Sequence, residues 1–150
     1  MPSSSPAKPV SASASVIVAR MGPAQANSAG FVFGGAIMAL CDEAAGTCAM
    51  RHARSRVVTA KVSEFTFEAP VNIGELLTVK TSVNAVFGSS MEVGVRVEAE
   101  DLQSGEVRHT TSAYFVMVAM GEDGPQDVPD VEPDSPDAER RGREAQERHG

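Results

Sequence analysis

The feature that most constrains the fold is one long, mostly apolar helical stretch. It runs over residues 34–53 (GGAIMALCDEAAGTCAMRHA), opens with Gly34 and Gly35, and is rich in good helix formers. Apolar side chains occupy almost its whole circumference, which predicts a buried helix that ends near residue 53. Asp42 and Glu43 lie in its middle, and an ionised side chain there is costly unless it has a partner or a function.

Strand patterns flank this helix on both sides. A β-branched cluster within residues 13–21 predicts a first strand. Four further strand patterns follow the helix, over residues 56–68, 75–87, 90–100 and 107–120. A change of parity near Ser63 and Glu64 predicts a bulge, and Gly88-Ser89 predicts a hairpin turn. This order predicts an α+β fold in which an antiparallel sheet wraps around a long central helix.

The two ends of the chain differ in composition from the middle. Residues 1–11 contain three prolines and several serines, which predicts a disordered leader before a domain over residues 12–120. Residues 121–150 form an acidic, Pro-rich tail in which Ser135-Pro136-Asp137 starts a short helix over residues 136–148. Because its apolar face is weak, we expect that helix to pack on a neighbouring subunit or to remain loosely attached.

Charge and hydropathy exclude several classes of protein. The net charge is −7, and residues 121–150 carry ten acidic and four basic side chains, so nucleic acid is not an expected partner. No apolar run approaches the roughly 18 residues that span a bilayer, and no secretory signal is present, so we expect no membrane partner and a cytoplasmic location. Cys41 and Cys48 lie too far apart along the helix for a disulfide and are expected to be reduced, packed side chains.

The carboxylates in the helix are the first candidates for chemistry. Asp42 and Glu43 point about 100° apart around the helix axis, so at most one of them faces the core. The alternative is structural: either residue can be a helix carboxylate at a solvent edge or in an ion pair.

The loop before the helix is the second candidate. Asn27-Ser28-Ala29-Gly30 runs into Phe33-Gly34-Gly35, where free backbone N–H groups and the positive end of the helix dipole can stabilise an oxyanion. The alternative is that the two glycines serve only a tight entry into the helix.

Other familiar nucleophiles are absent from the sequence. There is no Gly-x-Ser-x-Gly motif, and His52, His109 and His149 lack spaced partners, so we interpret all three as structural or solvated. Cys41 is interpreted as a core residue, because a buried thiol without a nearby base stays protonated.

Several short motifs follow one another along the sequence. They are Asn27-Ser28-Ala29-Gly30, Phe33-Gly34-Gly35-Ala36-Ile37-Met38, Asp42-Glu43-Ala44-Ala45-Gly46, Arg51-His52, Val57-Val58-Thr59-Ala60, Ser90-Met91-Glu92 and Ser112-Ala113-Tyr114-Phe115. Taken in order, these motifs resemble the hotdog-fold acyl-CoA thioesterases, in particular the cytosolic acyl-CoA thioester hydrolase group. The resemblance covers roughly residues 12–120.

The resemblance implies hydrolysis of fatty acyl-CoA to a free fatty acid and CoA, without a metal or a bound cofactor. Asp42 matches the family's general base or, in an alternative mechanism, its nucleophile. Asn27 matches the asparagine that orients the water or the thioester, and the N–H groups of Gly35 and Gly34 match the oxyanion hole. The family builds this site across a dimer interface, so we expect a homo-oligomer with the dimer as its minimal active unit, assembled into a hexamer as a trimer of dimers.

The resemblance also suggests where CoA binds. Val58 and Thr59 match a strand edge that holds the pantetheine arm, and Ser89 and Ser90 lie near the nucleotide. The basic residues expected to meet the phosphates are Arg51, Arg54, Arg56 and Lys61. The alternative for this cluster is a cationic helix terminus that balances the dipole and keeps the surface soluble.

One departure and two alternatives remain at this point. Gln25 stands where the family usually has an acidic residue, which changes the hydrogen bonds of the loop. The alternative enzyme is a hotdog dehydratase, but the resemblance to that group requires a catalytic histidine before the helix, and this sequence has none between Met21 and Gly35. The other alternative is a non-catalytic acyl-CoA binder or sensor that uses the same pocket without turnover.

Overall fold

The computed structural model describes residues 5–149. Its strands and helices, in chain order, are β1 (Lys8–Pro9), β2 (Ser15–Arg20), α1 (Gly34–Ala53), β3 (Arg56–Phe67), β4 (Leu76–Phe87), β5 (Ser90–Glu100), β6 (Val107–Gly121), β7 (Gly124–Pro125), β8 (Val131–Glu132) and α2 (Pro136–His149). Short 3-10 turns lie at Val10–Ala12 and Pro23–Gln25. The predicted long helix, the five long strands and the short C-terminal helix are all confirmed.

The main sheet has the strand order β2-β4-β5-β6-β3, with β7 paired to β6, and its pairs are antiparallel. The register of β3 on β6 shifts between Ser63 and Thr66, and Glu64 adopts a positive φ of 52°. The predicted bulge is therefore confirmed, and it bends β3 where its side-chain parity changes. β3 is an edge strand with most of its side chains exposed.

α1 packs on the concave side of this sheet and contacts all five long strands. Its buried residues are Ile37, Cys41, Ala44, Ala45, Cys48, Ala49 and His52. The other side of the helix is open in the single chain, where Met38 and Met50 are exposed. The expectation of a helix buried all round is therefore wrong for one chain. The helix ends at Arg54, whose left-handed backbone lets its N–H bond the carbonyl of Met50 at 2.7 Å.

The N-terminal segment is ordered from Lys8 onward, contrary to the predicted disorder over residues 1–11. Lys8–Pro9 pairs in parallel with Val131–Glu132, and Val10 is buried. Its composition predicted disorder because the segment cannot form a core of its own, but pairing with the tail orders it. Residues 1–4 of the predicted leader lie outside the described residues.

The C-terminal helix packs on its own chain, so the expectation that it remains loosely attached is wrong, and packing on a neighbouring subunit stays a prediction. Ser135 caps it, with its hydroxyl oxygen accepting the N–H of Ala138 at 3.0 Å. Ala138 and Ala145 are buried where α2 contacts β4. The far end of α2 contacts Glu92, a fully buried carboxylate on β5.

Glu92 is paired on both of its oxygens. Arg148 donates to Oε1 at 2.7 Å and to Oε2 at 2.9 Å, Asn84 donates to Oε2 at 2.8 Å, and His149 Nε2 lies 2.9 Å from Oε1. The guanidinium of Arg148 also stacks on the Tyr114 ring, 3.7 Å from its centroid. Because the apolar face of α2 is weak, this buried ion pair is what holds the far end of the helix on the sheet.

Both cysteines are free and buried, as predicted. Burial raises the pKa of the Cys41 thiol to about 12, so it stays protonated. Across residues 5–149, neither helix has the length and hydropathy to cross a membrane.

Candidate active site

The first turn of α1 presents two backbone N–H groups without acceptors. Neither Gly34 N–H nor Gly35 N–H has an acceptor within residues 5–149, and Phe33 contributes no side-chain cap. Both glycines lie against rings: an added Cβ would lie 3.2 Å from Cζ of Phe67 at Gly34, and 3.3 Å from Cε2 of Phe33 at Gly35. Together with the helix dipole, this pair of N–H groups suits a negatively charged oxygen.

The loop before α1 is held by Asn27. Its Oδ1 accepts the N–H of Ala29 at 2.9 Å and that of Phe31 at 3.0 Å, and its backbone N–H donates to the Phe31 carbonyl at 2.7 Å. Its Nδ2 group has no acceptor in the described part of the chain, so it remains able to donate to a ligand. The side chain of Asn27 thus shapes the loop with one end and leaves a donor at the other.

Gln25 also stabilises this loop. Its Oε1 accepts the N–H of Gly22 at 2.8 Å, and its backbone carbonyl accepts the N–H of Phe33 at 2.8 Å. An amide oxygen therefore takes the backbone N–H that a carboxylate would also accept. The departure from the family pattern at this position leaves the loop hydrogen-bonded.

Asp42 lies on the exposed side of α1 and is held by β3. The Thr59 hydroxyl donates to Oδ1 of Asp42 at 2.6 Å and lies 3.4 Å from the sulfur of Met117 on β6. Neither Asp42 nor Glu43 faces the core. Within the single chain, the carboxylates thus lie at the solvent edge, and only that of Asp42 has a partner among the described side chains.

The two parts of the candidate site lie apart within one chain. Gly35 and Asp42 are seven positions apart on nearly the same face of the helix, which is about 10 Å along its axis. A single reacting carbonyl cannot contact both groups at that separation.

The predicted substrate-binding residues lie in one row across the sheet. Val58 on β3 is opposite Val118 on β6, which is opposite Ser90 on β5, so Val58 and Ser90 are about 10 Å apart. Ser89 occupies the adjoining turn and accepts the N–H of Ala119 through its carbonyl. Thr59 lies one register position along from this row.

The basic cluster divides into two groups. Arg51 donates to the carbonyls of Ala14 at 2.8 Å and Ala12 at 3.2 Å, and to the hydroxyl of Ser15 at 2.8 Å. It therefore anchors the N-terminal segment. The other three side chains of the cluster, Arg54, Arg56 and Lys61, are exposed and have no protein partner within residues 5–149.

The histidines lie outside this arrangement. His52 is buried with Nε2 2.7 Å from the Pro129 carbonyl, and burial lowers its pKa. His109 contacts Glu68 at 2.9 Å and Ser112 at 2.7 Å, and His149 contacts Glu92. Each histidine thus has a partner within its own chain, contrary to the expectation for His109 and His149, and a structural role for all three stays a prediction.

Two features of the site region were not predicted from the sequence. The contact of Thr59 with Asp42 depends on how β3 lies along α1, which strand periodicity does not encode. The pairing of Glu92 with Arg148 joins residues 56 positions apart. A charged residue within the alternating apolar pattern of β5 was the one available signal for it.

Comparisons with known proteins identify the family of the chain. Residues 29–106 match the model of the thioesterase superfamily. The chain is 32% identical over 143 residues to the cytosolic acyl coenzyme A thioester hydrolase of Mus musculus, covering 93% of this chain and 38% of that protein. The chain spans less than two thirds of the length of several curated relatives that it matches.

Solved structures are similar over nearly the whole chain. An apo-hexameric acyl-CoA thioesterase is 36% identical with a TM-score of 0.94, covering 97% of this chain and 94% of that one. An acyl-CoA hydrolase from Staphylococcus aureus, in complex with butyryl coenzyme A, coenzyme A and coenzyme A disulfide, is 31% identical with a TM-score of 0.90, covering 96% and 88%. The sheet wrapped around α1, the family match and these likenesses together place the chain in the thioesterase superfamily, with its hotdog fold.

Proposed function

We propose that this chain is an acyl-CoA thioesterase that hydrolyses fatty acyl-CoA to a free fatty acid and CoA. The observation that carries the proposal is the exposed Asp42 carboxylate, held by Thr59, on a helix whose first turn has the two free N–H groups of Gly34 and Gly35. The names of the mouse relative and of the similar structures support the same reaction.

The chemistry needs few groups because a thioester carbonyl has little resonance stabilisation and a thiolate leaves readily. The Gly34 and Gly35 N–H groups bind the carbonyl oxygen as it becomes negative. Asp42 takes a proton from water, whose oxygen attacks the carbonyl carbon and displaces the thiolate. In the alternative route Asp42 attacks that carbon itself, and water then hydrolyses the resulting mixed anhydride, which releases the fatty acid and regenerates the carboxylate. The Nδ2 group of Asn27 orients the water or the thioester. CoA leaves as the thiolate and is then protonated, so the proposed reaction uses no cofactor beyond the CoA of the substrate.

The separation of Gly35 from Asp42 favours a site shared between two copies of the chain. One copy supplies Asn27 and the glycine N–H groups, and its partner supplies Asp42. The exposed apolar side chains along α1 and β3 support a dimer on this surface; they are Met38, Met50, Val58, Val62 and Phe67. The dimer is then the minimal active unit, and the hexameric state of a similar thioesterase supports a trimer of dimers.

CoA lies outside the apolar part of this site. Its phosphates meet Arg54, Arg56 and Lys61, which have no competing protein partner in residues 5–149. The strand edge at Val58 holds the pantetheine arm, and Ser89 and Ser90 contact the nucleotide across the sheet. A cytoplasmic location stays a prediction, supported by the two free cysteines and by the name of the mouse relative.

The test is thiol release from a panel of acyl-CoA esters, acetyl to palmitoyl, by the wild type, Asp42→Asn and the control Glu147→Gln. Glu147 is an exposed carboxylate on α2. We expect release by the wild type and the control, and a loss of at least about a hundredfold in folded Asp42→Asn. Tight binding of the esters without release of CoA would overturn the proposal in favour of a non-catalytic acyl-CoA binder.

A further inference from the structure

A groove of about 350 Å³ lies beside the N-terminal half of α1. Ala36, Ala39 and Leu40 form its floor, and Met21 and Ala24 form the wall on the loop side. Two of the three floor residues are alanines, so a ligand in the groove approaches the helix backbone closely. The polar side chains in its lining are Gln25 and Glu43, and the other lining side chains are apolar. Its volume is at the small end of the range for ligand pockets.

One end of the groove lies at Phe33, the residue that precedes Gly34 and Gly35 of the candidate oxyanion hole. Phe33 lines that end, and its ring is close enough to Gly35 that an added Cβ would lie 3.3 Å from Cε2. A thioester whose oxygen is bound at the Gly35 N–H therefore has the Phe33 ring beside its acyl group, and the groove is the apolar space that continues from there.

The other end of the groove is the carboxylate of Glu43. From Ala36 to Glu43 the helix rises about 10 Å. The Glu43 carboxylate has no ion pair and no hydrogen bond to any side chain or N–H group of residues 5–149. An apolar chain that reaches it must displace water from an unpaired charge, which is unfavourable.

We propose that this groove binds the acyl chain of the substrate and that Glu43 determines its maximum length. The inference rests on the proposed function and adds the substrate class, which is acyl groups of short and medium length. Each methylene that enters the groove gains apolar burial, until the chain is long enough for its terminal methyl group to contact Glu43. Beyond that length, additional methylenes no longer improve the reaction.

The test compares kcat/KM across the acyl panel for the wild type, Glu43→Gln, Glu43→Leu and the control Glu147→Gln. Glu43→Leu is expected to raise the palmitoyl to hexanoyl ratio of kcat/KM by about tenfold, and Glu43→Gln to change it in the same direction by less. In Glu147→Gln, both this ratio and the acetyl rate should stay within about twofold of wild type. Chromatography with light scattering checks that each variant keeps the wild-type assembly.

A binding measurement keeps this test independent of turnover. In the Asp42→Asn background, calorimetry gives the Kd of hexanoyl-CoA and palmitoyl-CoA with and without Glu43→Leu. Palmitoyl-CoA should bind about tenfold more tightly with leucine at position 43, and hexanoyl-CoA should bind equally. An unchanged length profile in both measurements overturns the role of Glu43. Absence of thiol release by the wild type, with the binding difference present, overturns the proposed function alone.

Discussion

The hydroxyl of Thr59 on β3 donates a 2.6 Å hydrogen bond to the Asp42 carboxylate on α1. This contact restricts the rotation of a side chain that is otherwise exposed on its helix. It also ties the carboxylate to an edge strand of the sheet, so the position of Asp42 depends on the packing of α1 against β3.

Removing this hydroxyl should impair the chemical step more than substrate binding. A hydrogen bond to a charged group contributes roughly 1.5–3 kcal/mol. Thr59→Val keeps the β-branched shape and should lower kcat by about tenfold to a hundredfold, with KM within about threefold. Thr59→Ser should recover most of the loss, and equal loss in both variants would show that the hydroxyl is not the cause. Steady-state hydrolysis of a short acyl-CoA ester is the measurement.

Mixing two inactive variants tests whether the site is shared. Asn27→Ala and Asp42→Asn should each be nearly inactive alone, whereas their co-expressed mixture should recover about a quarter of wild-type turnover. Half of randomly mixed dimers are heterodimers, and one of the two sites in each then has both native residues. No recovery in verified heterodimers would place both residues in the same subunit's site.

Arg54 and Arg56 should bind CoA, whereas Arg51 should stabilise the fold. The double change Arg54→Gln with Arg56→Gln should raise KM for acyl-CoA by about tenfold and weaken its dependence on salt. Arg51→Gln should leave KM unchanged and lower the free energy of unfolding by about 1–2 kcal/mol, because its partners are backbone carbonyls and Ser15. Initial rates at two salt concentrations and urea titrations measure these effects, and a raised KM in Arg51→Gln would contradict the division.

The buried pair of Glu92 and Arg148 should stabilise the docked C-terminal helix. Glu92→Gln leaves the partly buried guanidinium without its counter-charge, so it should lower the free energy of unfolding by about 3 kcal/mol. Glu147→Gln on the exposed side of α2 should change it by less than about 0.5 kcal/mol. Urea unfolding followed by circular dichroism measures both, and equal values would show that the pair contributes nothing.

The shifted pKa values of two buried side chains, His52 and Glu92, predict how the free energy of unfolding depends on pH. Burial lowers the pKa of His52 from its ordinary 6.5, so its contribution is complete above pH 6.5 and is lost as pH falls through the folded pKa. Burial acts to raise the pKa of Glu92, but hydrogen bonds from Arg148, Asn84 and His149 outweigh it and hold that pKa below 4.5. Its contribution is therefore lost only below pH 4.5. Urea titrations over this range should show a smaller loss below pH 6.5 in His52→Gln than in wild type, and identical curves would contradict the assignment.

Much of the fold could be predicted because its elements carry strong local patterns. The helix over residues 34–53 and the hairpin at Gly88-Ser89 were both predictable, since helix formers and turn residues act within a few positions. β1 was missed because β8, the strand with which it pairs, lies in the tail. The docking of α2 was missed because it depends on Glu92, whose counter-ion lies far away in sequence.

The candidate site was predictable in its residues and less so in its contacts. Asp42, Asn27 and the paired glycines stand out because each is unusual for its place in the pattern. Thr59 was assigned to the strand that holds the substrate, whereas its hydroxyl contacts Asp42. That difference arises from the packing of β3 on α1, a tertiary relation that no local pattern records. Arg51 stood in a plausible basic cluster, and only the position of the N-terminal segment shows that it is already occupied.

The pairing of β1 with β8 has a consequence for the kinetics of folding. This contact and the hydrogen bond from Ser11 to Asp134 join parts of the chain about 123 positions apart. Because the entropy cost of closing so long a loop is large, we expect this contact to form late, after the sheet has brought its ends together. Interactions that form after the transition state slow unfolding and leave the folding rate nearly unchanged. We therefore expect the pairing of β1 with β8 to affect the unfolding rate, and so the lifetime of the folded molecule, more than the folding rate.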